Sequence, residues 1–274
     1  MYTQYWNLRA RPFDDVVDAD YFFANASHQG ALLKLRYLVE QRQGVALLVG
    51  EHGAGKSLVT HLLERELGET EHGPLVRLVF PQLTAVGMLT TLAHRLGADP
   101  IEISAEHTMV EALEATLRQL GVEGRPPIIV VDDAHHLEIE QLNSLRLLLN
   151  FREQTGCHFS IVLVGRVDLL ATVERVGALD QRIAVRTSID PLSIEQTQHY
   201  VSHRLHIAGA DRTIFDESAM APLWELSQGN PRRINQICEI ALLVGFVDEL
   251  ERIGGVEVEA AAEELTSVTG RIAA

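Results

Sequence analysis

A short glycine-rich segment at residues 50–57 has the residue types and the spacing that phosphate binding requires. Its residues are Gly50, Glu51, His52, Gly53, Ala54, Gly55, Lys56 and Ser57. They fit G-x-x-x-x-G-K-[ST], the P-loop pattern, in which glycines let successive backbone N–H groups point at phosphate oxygens. Lys56 can reach the β- and γ-phosphates, and the Ser57 hydroxyl can join the shell of a Mg²⁺ ion. We therefore expect these residues and the following Leu58 to bind a nucleotide.

The elements on either side of this segment are those that a P-loop requires. The apolar residues 45–49 predict a buried strand, and residues 58–67 have apolar side chains at helical spacing. Gly68 is placed to end that helix. The start of the helix adds the positive end of its dipole to the loop. A chance glycine loop needs neither element and is therefore the weaker explanation.

A second group of possible catalytic side chains follows the apolar residues 128–131. Asp132 and Asp133 come directly after this run, as in the Walker B pattern. Acids at the carboxyl end of a parallel strand lie where such sheets bind ligands. We expect Asp132 to hold Mg²⁺ through water, and Asp133 to orient or deprotonate the attacking water. The alternative is a turn with two solvated acids.

Two adjacent histidines, His135 and His136, raise the question of a separate metal site. Adjacent side chains point apart, and no carboxylate or cysteine at ligand spacing supports them. The sequence therefore disfavours a metal at this pair.

Strands and helices alternate over the first two thirds of the chain. Strands are predicted at residues 75–80, ended by Pro81, at 159–164, and in a short run up to Ser188. Helices are predicted at 28–42, capped by Ser27, and at 85–96, 104–120 and 141–154. This alternation implies βαβ units and a parallel sheet, which is the α/β class.

After about residue 190 the pattern becomes entirely helical, with helices predicted at residues 194–207, 216–227, 231–247 and 257–265. We therefore expect a nucleotide-binding core domain at residues 1–190 and a helical lid domain at 191–274. Residues 1–43, the N-terminal segment and first helix, are assigned to the core. The aromatic residues of that segment either cover a nucleotide base or belong to the core.

Composition excludes several classes of function. The net charge of −15 argues against a surface that coats nucleic acid, although a local basic patch stays possible. No apolar run reaches the length of a membrane span, and the first 13 residues lack a signal pattern. Cys157 and Cys238 have no partner spacing, which suits a reducing cytosol. The expected location is the cytoplasm.

Beyond the two nucleotide motifs, further segments resemble one family. They are Arg11-Pro12-Phe13, the helix start at His28, Gly165-Arg166-Val167-Asp168-Leu169, Gln181-Arg182-Ile183, Pro191-Leu192 and Gly229-Asn230-Pro231-Arg232-Arg233-Ile234-Asn235. With the P-loop and the Walker B acids, these segments make the chain similar to AAA+ ATPases, and more narrowly to the ExeA/GspA-like ATPases associated with general secretion, over nearly all of residues 5–265.

The resemblance implies a fold and several residue roles. It implies a three-layer αβα core with a five-stranded parallel sheet of order 5-1-4-3-2 and a helical lid. Arg182 resembles an arginine finger that reaches the γ-phosphate of a neighbouring subunit, and Arg232 resembles the sensor 2 residue of the lid. Arg166 stands where the family commonly has its sensor 1 residue. Ordinary ion pairs are the alternative for each arginine. Asp133 stands where the family usually has the longer glutamate.

The expected function is Mg²⁺-dependent ATP binding and hydrolysis, coupled to assembly of a nucleotide-dependent homo-oligomeric ring or to remodelling of a partner protein. One alternative is a nucleotide-gated matchmaker of the transposition type, similar to TnsC and TniB, that polymerises on DNA. Another is a slow switch that binds ATP and barely hydrolyses it. A basic lining in the assembled ring, or salt-dependent DNA binding, would favour the matchmaker.

Overall fold

The structure is a computed structural model that describes residues 1–15, 18–68, 73–79, 83–98 and 106–272; for residues 106–108 and 266–272 it describes the backbone only. The strands are β1 Val45–Gly50, β2 Leu75–Leu78, β3 Ile128–Val131, β4 Ser160–Gly165 and β5 Ile183–Ile189. The α-helices are α1 Tyr2–Tyr5, α2 Ala26–Glu40, α3 Lys56–Gly68, α4 Ala85–Leu96, α5 Glu106–Val122, α6 Ile139–Leu148, α7 Phe151–Thr155, α8 Leu169–Glu174, α9 Gly177–Asp180, α10 Ile194–Ile207, α11 Met220–Ser227, α12 Pro231–Val247 and α13 Gly255–Ile272. Short 3₁₀ helices cover Ala19–Tyr21, Ala134–His136 and Glu217–Ala219.

The strands form one parallel sheet with the order β2-β3-β4-β1-β5. This confirms the predicted order 5-1-4-3-2, counted from the other edge. Every residue of the three central strands is buried, because helices cover both faces of the sheet. The edge strands β2 and β5 instead alternate buried with more exposed residues. Uniformly apolar sequence therefore marks the centre of the sheet, and alternation marks its edges.

Several predicted elements differ from the structure at their ends. The predicted strand 75–80 is β2 and ends at Leu78; Phe80 and Pro81 lie outside the described residues, as do residues 104 and 105 of the predicted helix 104–120. Ser27 is not a cap, because α2 already begins at Ala26. The predicted helix 141–154 is two helices, α6 and α7, that are separated at Leu149 and Asn150.

Close contacts divide the chain into two units. One contains residues 26–52 and 56–189, which include the whole sheet. The other contains residues 1–25, 53–55 and 190–274, and its described elements are helical. Its capped helices explain why this part is helical: Ser193 and Gln196 form a capping box at the start of α10, and Asn230 caps α12.

The N-terminal segment differs from its predicted assignment. Residues 1–25 pack within the helical unit, whereas the prediction placed all of residues 1–43 with the core domain. Trp6 is fully buried, and its indole N–H donates to the Leu242 carbonyl at 2.9 Å. The Arg204 Nε donates to the Pro12 carbonyl at 2.5 Å. Burial of the large aromatic side chains binds this segment to helices that lie some 200 residues further along the chain.

In the described part of the chain, no helix is both long enough and apolar enough to span a membrane.

Candidate functional site

The P-loop residues join the carboxyl end of the central strand β1 to the start of α3. Gly53 and Gly55 have φ values of +81° and +97°, in the left-handed region that favours glycine. The helix begins at Lys56 itself, two residues earlier than the predicted 58–67. The backbone N–H groups of the first helical turn have no partners within the helix, so they face the loop. The local backbone therefore has the form that an anion-binding loop requires.

The Lys56 side chain folds back over this loop. Its Nζ donates to the carbonyl oxygens of Gly50 at 2.9 Å and Glu51 at 2.8 Å. Burial lowers the pKa of Lys56, and the nearby carboxylates of Asp132 and Asp133 act against this shift. The ammonium group is thus held by neutral carbonyl groups beside two carboxylates, where a phosphate could compete for its N–H donors.

The predicted metal ligands Ser57 and Asp132 lie together in the structure. The Ser57 Oγ is 3.4 Å from the Asp132 Oδ2, although the two residues are 75 positions apart in the chain. The other carboxylate oxygen, Oδ1, accepts a hydrogen bond from the Asp133 backbone N–H at 3.0 Å. Asp132 is therefore fixed on one side and presents its second oxygen to the P-loop serine.

The residues present fit a Mg²⁺ ion and a nucleotide triphosphate. A hydroxyl and a carboxylate oxygen at adjacent positions are the hard oxygen donors that Mg²⁺ prefers, and this ion commonly completes its shell with phosphate oxygens and water. In the described residues no group of three His, Cys, Asp or Glu side chains gathers as a metal site by itself. Ser57 and Asp132 would hold the ion, and Lys56 and the loop N–H groups would hold the phosphates.

Asp133 has an unusual backbone conformation for a non-glycine residue. Its φ and ψ are +48° and +35°, in the left-handed region, which aspartate tolerates better than most residues. The side chain is 56% exposed, and its Oδ1 lies 4.0 Å from the His135 Nδ1. Burial lowers the pKa of His135, and the adjacent His136 adds to the shift. The carboxylate of Asp133 is accessible to water, as a general base must be.

Arg166 directly follows β4, so it lies at the carboxyl ends of the strands, as the P-loop does. Its Nη2 is 3.9 Å from the Asp168 Oδ2, and both side chains are more than half exposed. The guanidinium is close enough to contribute to the lowered pKa of Lys56. Arg166 therefore lies near the site and also makes a weak surface ion pair.

Arg182 lies at the end of the sheet where β1 and β5 begin, whereas the P-loop follows the carboxyl end of β1. Val45 pairs with Ile183 at the amino ends of β1 and β5, and Gly50 pairs with Ile189 at their carboxyl ends. Arg182 precedes β5, and its Nη1 donates to the Arg146 carbonyl at 3.1 Å. At about 3.3 Å per strand residue, the length of β1 separates Arg182 from the P-loop by roughly 20 Å.

Arg232 belongs to the helical unit, in the first turn of α12. Its Nε lies 3.2 Å from the Asp15 Oδ2, and its backbone N–H donates to the Asn230 side chain at 3.1 Å. Both ends of the ion pair are partly exposed, so the pair is worth little to stability.

Arg77 is a site residue that the sequence analysis missed. Its Nη1 donates to the Thr60 Oγ1 at 2.8 Å and lies 3.8 Å from the Asp132 Oδ2, while Nη2 lies 3.3 Å from the Glu64 Oε2. The Thr60 hydroxyl in turn donates to the Ser57 carbonyl. Arg77 thereby connects β2, the P-loop helix and the Walker B acid. A lone arginine in an otherwise apolar strand was the available sign.

Sequence comparisons agree with these motifs. A family model described as an AAA domain matches residues 39–173. The chain is 30% identical to the general secretion pathway protein A of Aeromonas hydrophila over 271 residues, which are 98% of this chain and 49% of that protein. The chain thus spans about half the length of this curated relative.

Solved structures share the fold. The Cdc6p of Pyrobaculum aerophilum has a TM-score of 0.74 at 17% identity, over 92% of this chain and 70% of that one. The ORC1 protein of Aeropyrum pernix, solved in complex with DNA, has a TM-score of 0.70 at 18% identity, with coverages of 94% and 69%. The ORC2 protein of the same organism, solved as ADPNP–ADP complexes, has a TM-score of 0.69 at 16% identity, with coverages of 93% and 71%. The motifs, the sheet order, the AAA domain match and the curated relative together make this an AAA+ chain that is similar to the ExeA/GspA-like ATPases.

Proposed function

We propose that the protein binds ATP with Mg²⁺ and hydrolyses it to ADP and phosphate. The observation that supports this most strongly is the 3.4 Å approach of the Ser57 hydroxyl to the Asp132 carboxylate. It joins the P-loop to the acid after β3, which is the pair of groups that a nucleotide-bound Mg²⁺ needs.

The proposed chemistry assigns a task to each side chain. Lys56 and the loop N–H groups bind the β- and γ-phosphates, and Mg²⁺, when held by Ser57 and Asp132, supplies positive charge against the charge that develops on them. Asp133 orients a water molecule toward the γ-phosphorus and accepts its proton. The bond from the γ-phosphorus to the bridging oxygen then breaks, and ADP leaves with that electron pair.

Two arginines have proposed roles beyond their own unit or chain. Arg182 is proposed to contact the γ-phosphate of a neighbouring copy, because its place at the far edge of the sheet separates it from the P-loop of its own chain. Arg232 is proposed as a nucleotide sensor of the helical lid, on the resemblance alone. The predicted core at residues 1–190, without its first 25 residues, and the predicted lid at 191–274, together with those residues, are proposed as the two moving parts.

We further propose that the bound nucleotide controls two processes: assembly of a homo-oligomeric ring and remodelling of a protein partner. The expected location remains the cytoplasm, and the two free cysteines, Cys157 and Cys238, are both buried and suit a reducing compartment. These assignments concern this chain and not the longer relative.

The test uses the only two lysines of the chain. Lys56→Ala is expected to weaken ATP binding at least tenfold in calorimetry, since charge-assisted phosphate contacts are worth about 1.5–3 kcal/mol. Lys34→Ala is the matched control, because Lys34 is an exposed residue of α2, and it should bind ATP like the parent. Equal affinity of all three proteins would reject the assigned phosphate site. Phosphate release by the parent, with Mg²⁺ and with EDTA, tests hydrolysis and its metal requirement.

A further inference from the structure

A cavity at the amino end of the sheet, remote from the P-loop, is lined by two arginines. It has a volume of about 530 Å³, and its lining includes Gly44, Asn150, Arg152, Glu153 and Arg182. Gly44 precedes β1 and Arg182 precedes β5, so the cavity opens at the end of the sheet where these strands begin. The interruption between α6 and α7 forms one wall, since Leu149 and Asn150 lie in it.

Among the described residues, only backbone oxygens accept hydrogen bonds from these two guanidinium groups. Arg152 donates through Nη2 to the Arg42 carbonyl, and its Nε is buried without a hydrogen-bond partner among the described residues. Arg182 donates through Nη1 to the Arg146 carbonyl. In the described part of the chain, neither arginine has a carboxylate oxygen within 4.0 Å.

The charge at this cavity is therefore poorly compensated. Burial lowers the pKa of Arg152; the nearby Glu153 carboxylate acts against this shift, and the positive charge of Arg182 adds to it. Glu153 is the acid among the lining residues, and it is exposed. Two like charges at one cavity repel each other, and carbonyl dipoles offset only part of that cost. An anion that enters between them would offset the rest.

We propose that Arg152 and Arg182 together form an anion site that takes the phosphoryl oxygens of a nucleotide bound to a second copy of this chain. The planar donor fork of a guanidinium matches phosphate oxygens, and two forks can bind more than one oxygen of the same group. The strand length of roughly 20 Å between this edge and the P-loop excludes the nucleotide of the same chain. The choice of a neighbour's nucleotide rests on the proposed function of Arg182; the new element is the participation of Arg152.

A purely structural role for Arg152 makes a different prediction. Arg152 could serve only to hold the Arg42 carbonyl, in which case its replacement would lower stability and leave anion binding unchanged. Arg125 offers the matched control, because it also precedes a strand at the amino edge of the sheet but is 57% exposed, pairs with Glu123 and lies outside the cavity lining.

The first experiment is a complementation assay of ATP turnover. Arg182→Ala keeps its own P-loop but supplies an incomplete anion site, whereas Lys56→Ala lacks phosphate binding but supplies both arginines. Mixing the two is expected to restore turnover. The double variant with Lys56→Ala and Arg152→Gln should restore roughly tenfold less or worse, whereas the double variant with Arg125→Gln should restore it fully. Full restoration with Arg152→Gln would overturn the proposal.

The second experiment tests the site without any neighbour. Melting temperatures of the Lys56→Ala variant are compared in sodium phosphate and in sodium chloride of equal ionic strength. We expect phosphate to raise the melting temperature in a concentration-dependent way, and adding Arg152→Gln, but not Arg125→Gln, to remove that rise. The same rise in all three proteins would reject the anion site. Failure to restore turnover in any mixture, together with a rise that depends on Arg152, would reject only the neighbour's nucleotide as the ligand.

Discussion

The carboxylate of Asp132 serves two neighbours through one oxygen atom. Oδ2 lies 3.4 Å from the Ser57 hydroxyl and 3.8 Å from the Arg77 guanidinium, while Oδ1 is held by a backbone N–H. A positive group beside this carboxylate attracts it, and it would compete with a metal ion for the same oxygen. We therefore expect Arg77 to influence how readily Asp132 can turn toward a cation.

At this scale, residue type and spacing predicted most of the residues that the structure brings together around the loop. Gly53, Gly55, Lys56, Ser57 and Asp132 follow from motifs because few residue types suit phosphate and Mg²⁺; their roles remain predictions. The partners of Arg77 could not be predicted, since Thr60 and Asp132 come from two other elements and only their packing makes them neighbours.

Replacing Arg77 by Gln should destabilise the sheet unit. The arginine side chain is only 15% exposed, and its loss removes a donor from Thr60 and a nearby positive charge from Asp132. We expect a loss of about 1–3 kcal/mol in the free energy of unfolding by urea. Arg118→Gln is the control, because Arg118 forms an exposed pair with Glu114 on one helix, and its effect should stay within about 0.5 kcal/mol.

Because the backbone of Asp133 is left-handed, a substitution that tolerates this conformation can change catalysis without changing stability. Asparagine also tolerates this conformation, so Asp133→Asn should melt like the parent while it stops phosphate release, because an amide accepts no proton. Asp133→Glu restores the carboxylate and should retain turnover, with a small loss in melting temperature. Unchanged phosphate release by the Asn variant would remove Asp133 from the proposed mechanism.

At the scale of elements, continuous apolar sequence predicted the strands more accurately than helical spacing predicted the helices. Strands β1, β3 and β4 are continuous apolar sequences because they are buried on both faces. The break between α6 and α7 was missed, since residues 147–151 contain neither Gly nor Pro and keep a helical spacing of leucines. Backbone at Leu149 and Asn150 stays near helical, which is why no local signal marks it.

The N-terminal segment is attached to α10 by aromatic contacts that acid should weaken. The Phe23 ring lies 5.7 Å from the Tyr200 ring and 5.7 Å from the His203 ring. Burial lowers the pKa of His203, and the positive charges of Arg204 and His206 lower it further. The folded protein therefore keeps His203 neutral at a pH where the unfolded chain takes up a proton.

The sign of the resulting pH dependence follows from this shift. As the pH falls below about 6.5, the ordinary pKa of histidine, the unfolded state gains a proton that the folded state refuses, and stability is lost. His203→Gln should reduce the drop in melting temperature between pH 7.5 and pH 5.5. His199→Gln, at an exposed position of the same helix, should leave the drop as in the parent. Equal drops in all three proteins would mean that His203 does not contribute.

At the scale of the whole molecule, sequence pattern located the change to helical structure but not the path of the N-terminus. The first 25 residues group with residues from 190 onward, through contacts such as that of Trp6 with Leu242. Two residues that are in contact but more than 230 positions apart impose no periodic pattern on the sequence of either segment. The division at residue 190 as a boundary between separately moving domains remains a prediction.

Assembly should be visible in the concentration dependence of turnover. If Arg182 completes a site on a neighbour, phosphate release per subunit rises with protein concentration, and Arg182→Ala flattens that rise while ATP affinity stays near the parent value. An arginine supplied in trans can be worth about 10³–10⁵ in rate. Turnover that is independent of concentration in the parent would place the function of Arg182 within its own chain.

The P-loop and Arg182 lie at opposite ends of the strands of one parallel sheet, and this restricts the symmetry of any such assembly. A two-fold dimer can complete both sites only if one shared interface contains the P-loop and the Arg182 of each copy, because residue i then contacts j while j contacts i. Where the P-loop and Arg182 belong to separate surfaces, copies add head to tail, which gives the assembly a direction. An open row then always ends in one copy whose bound nucleotide meets no arginine, and only closure into a ring makes all sites equal. Turnover per subunit would therefore depend on whether rows close, as well as on how many copies have joined.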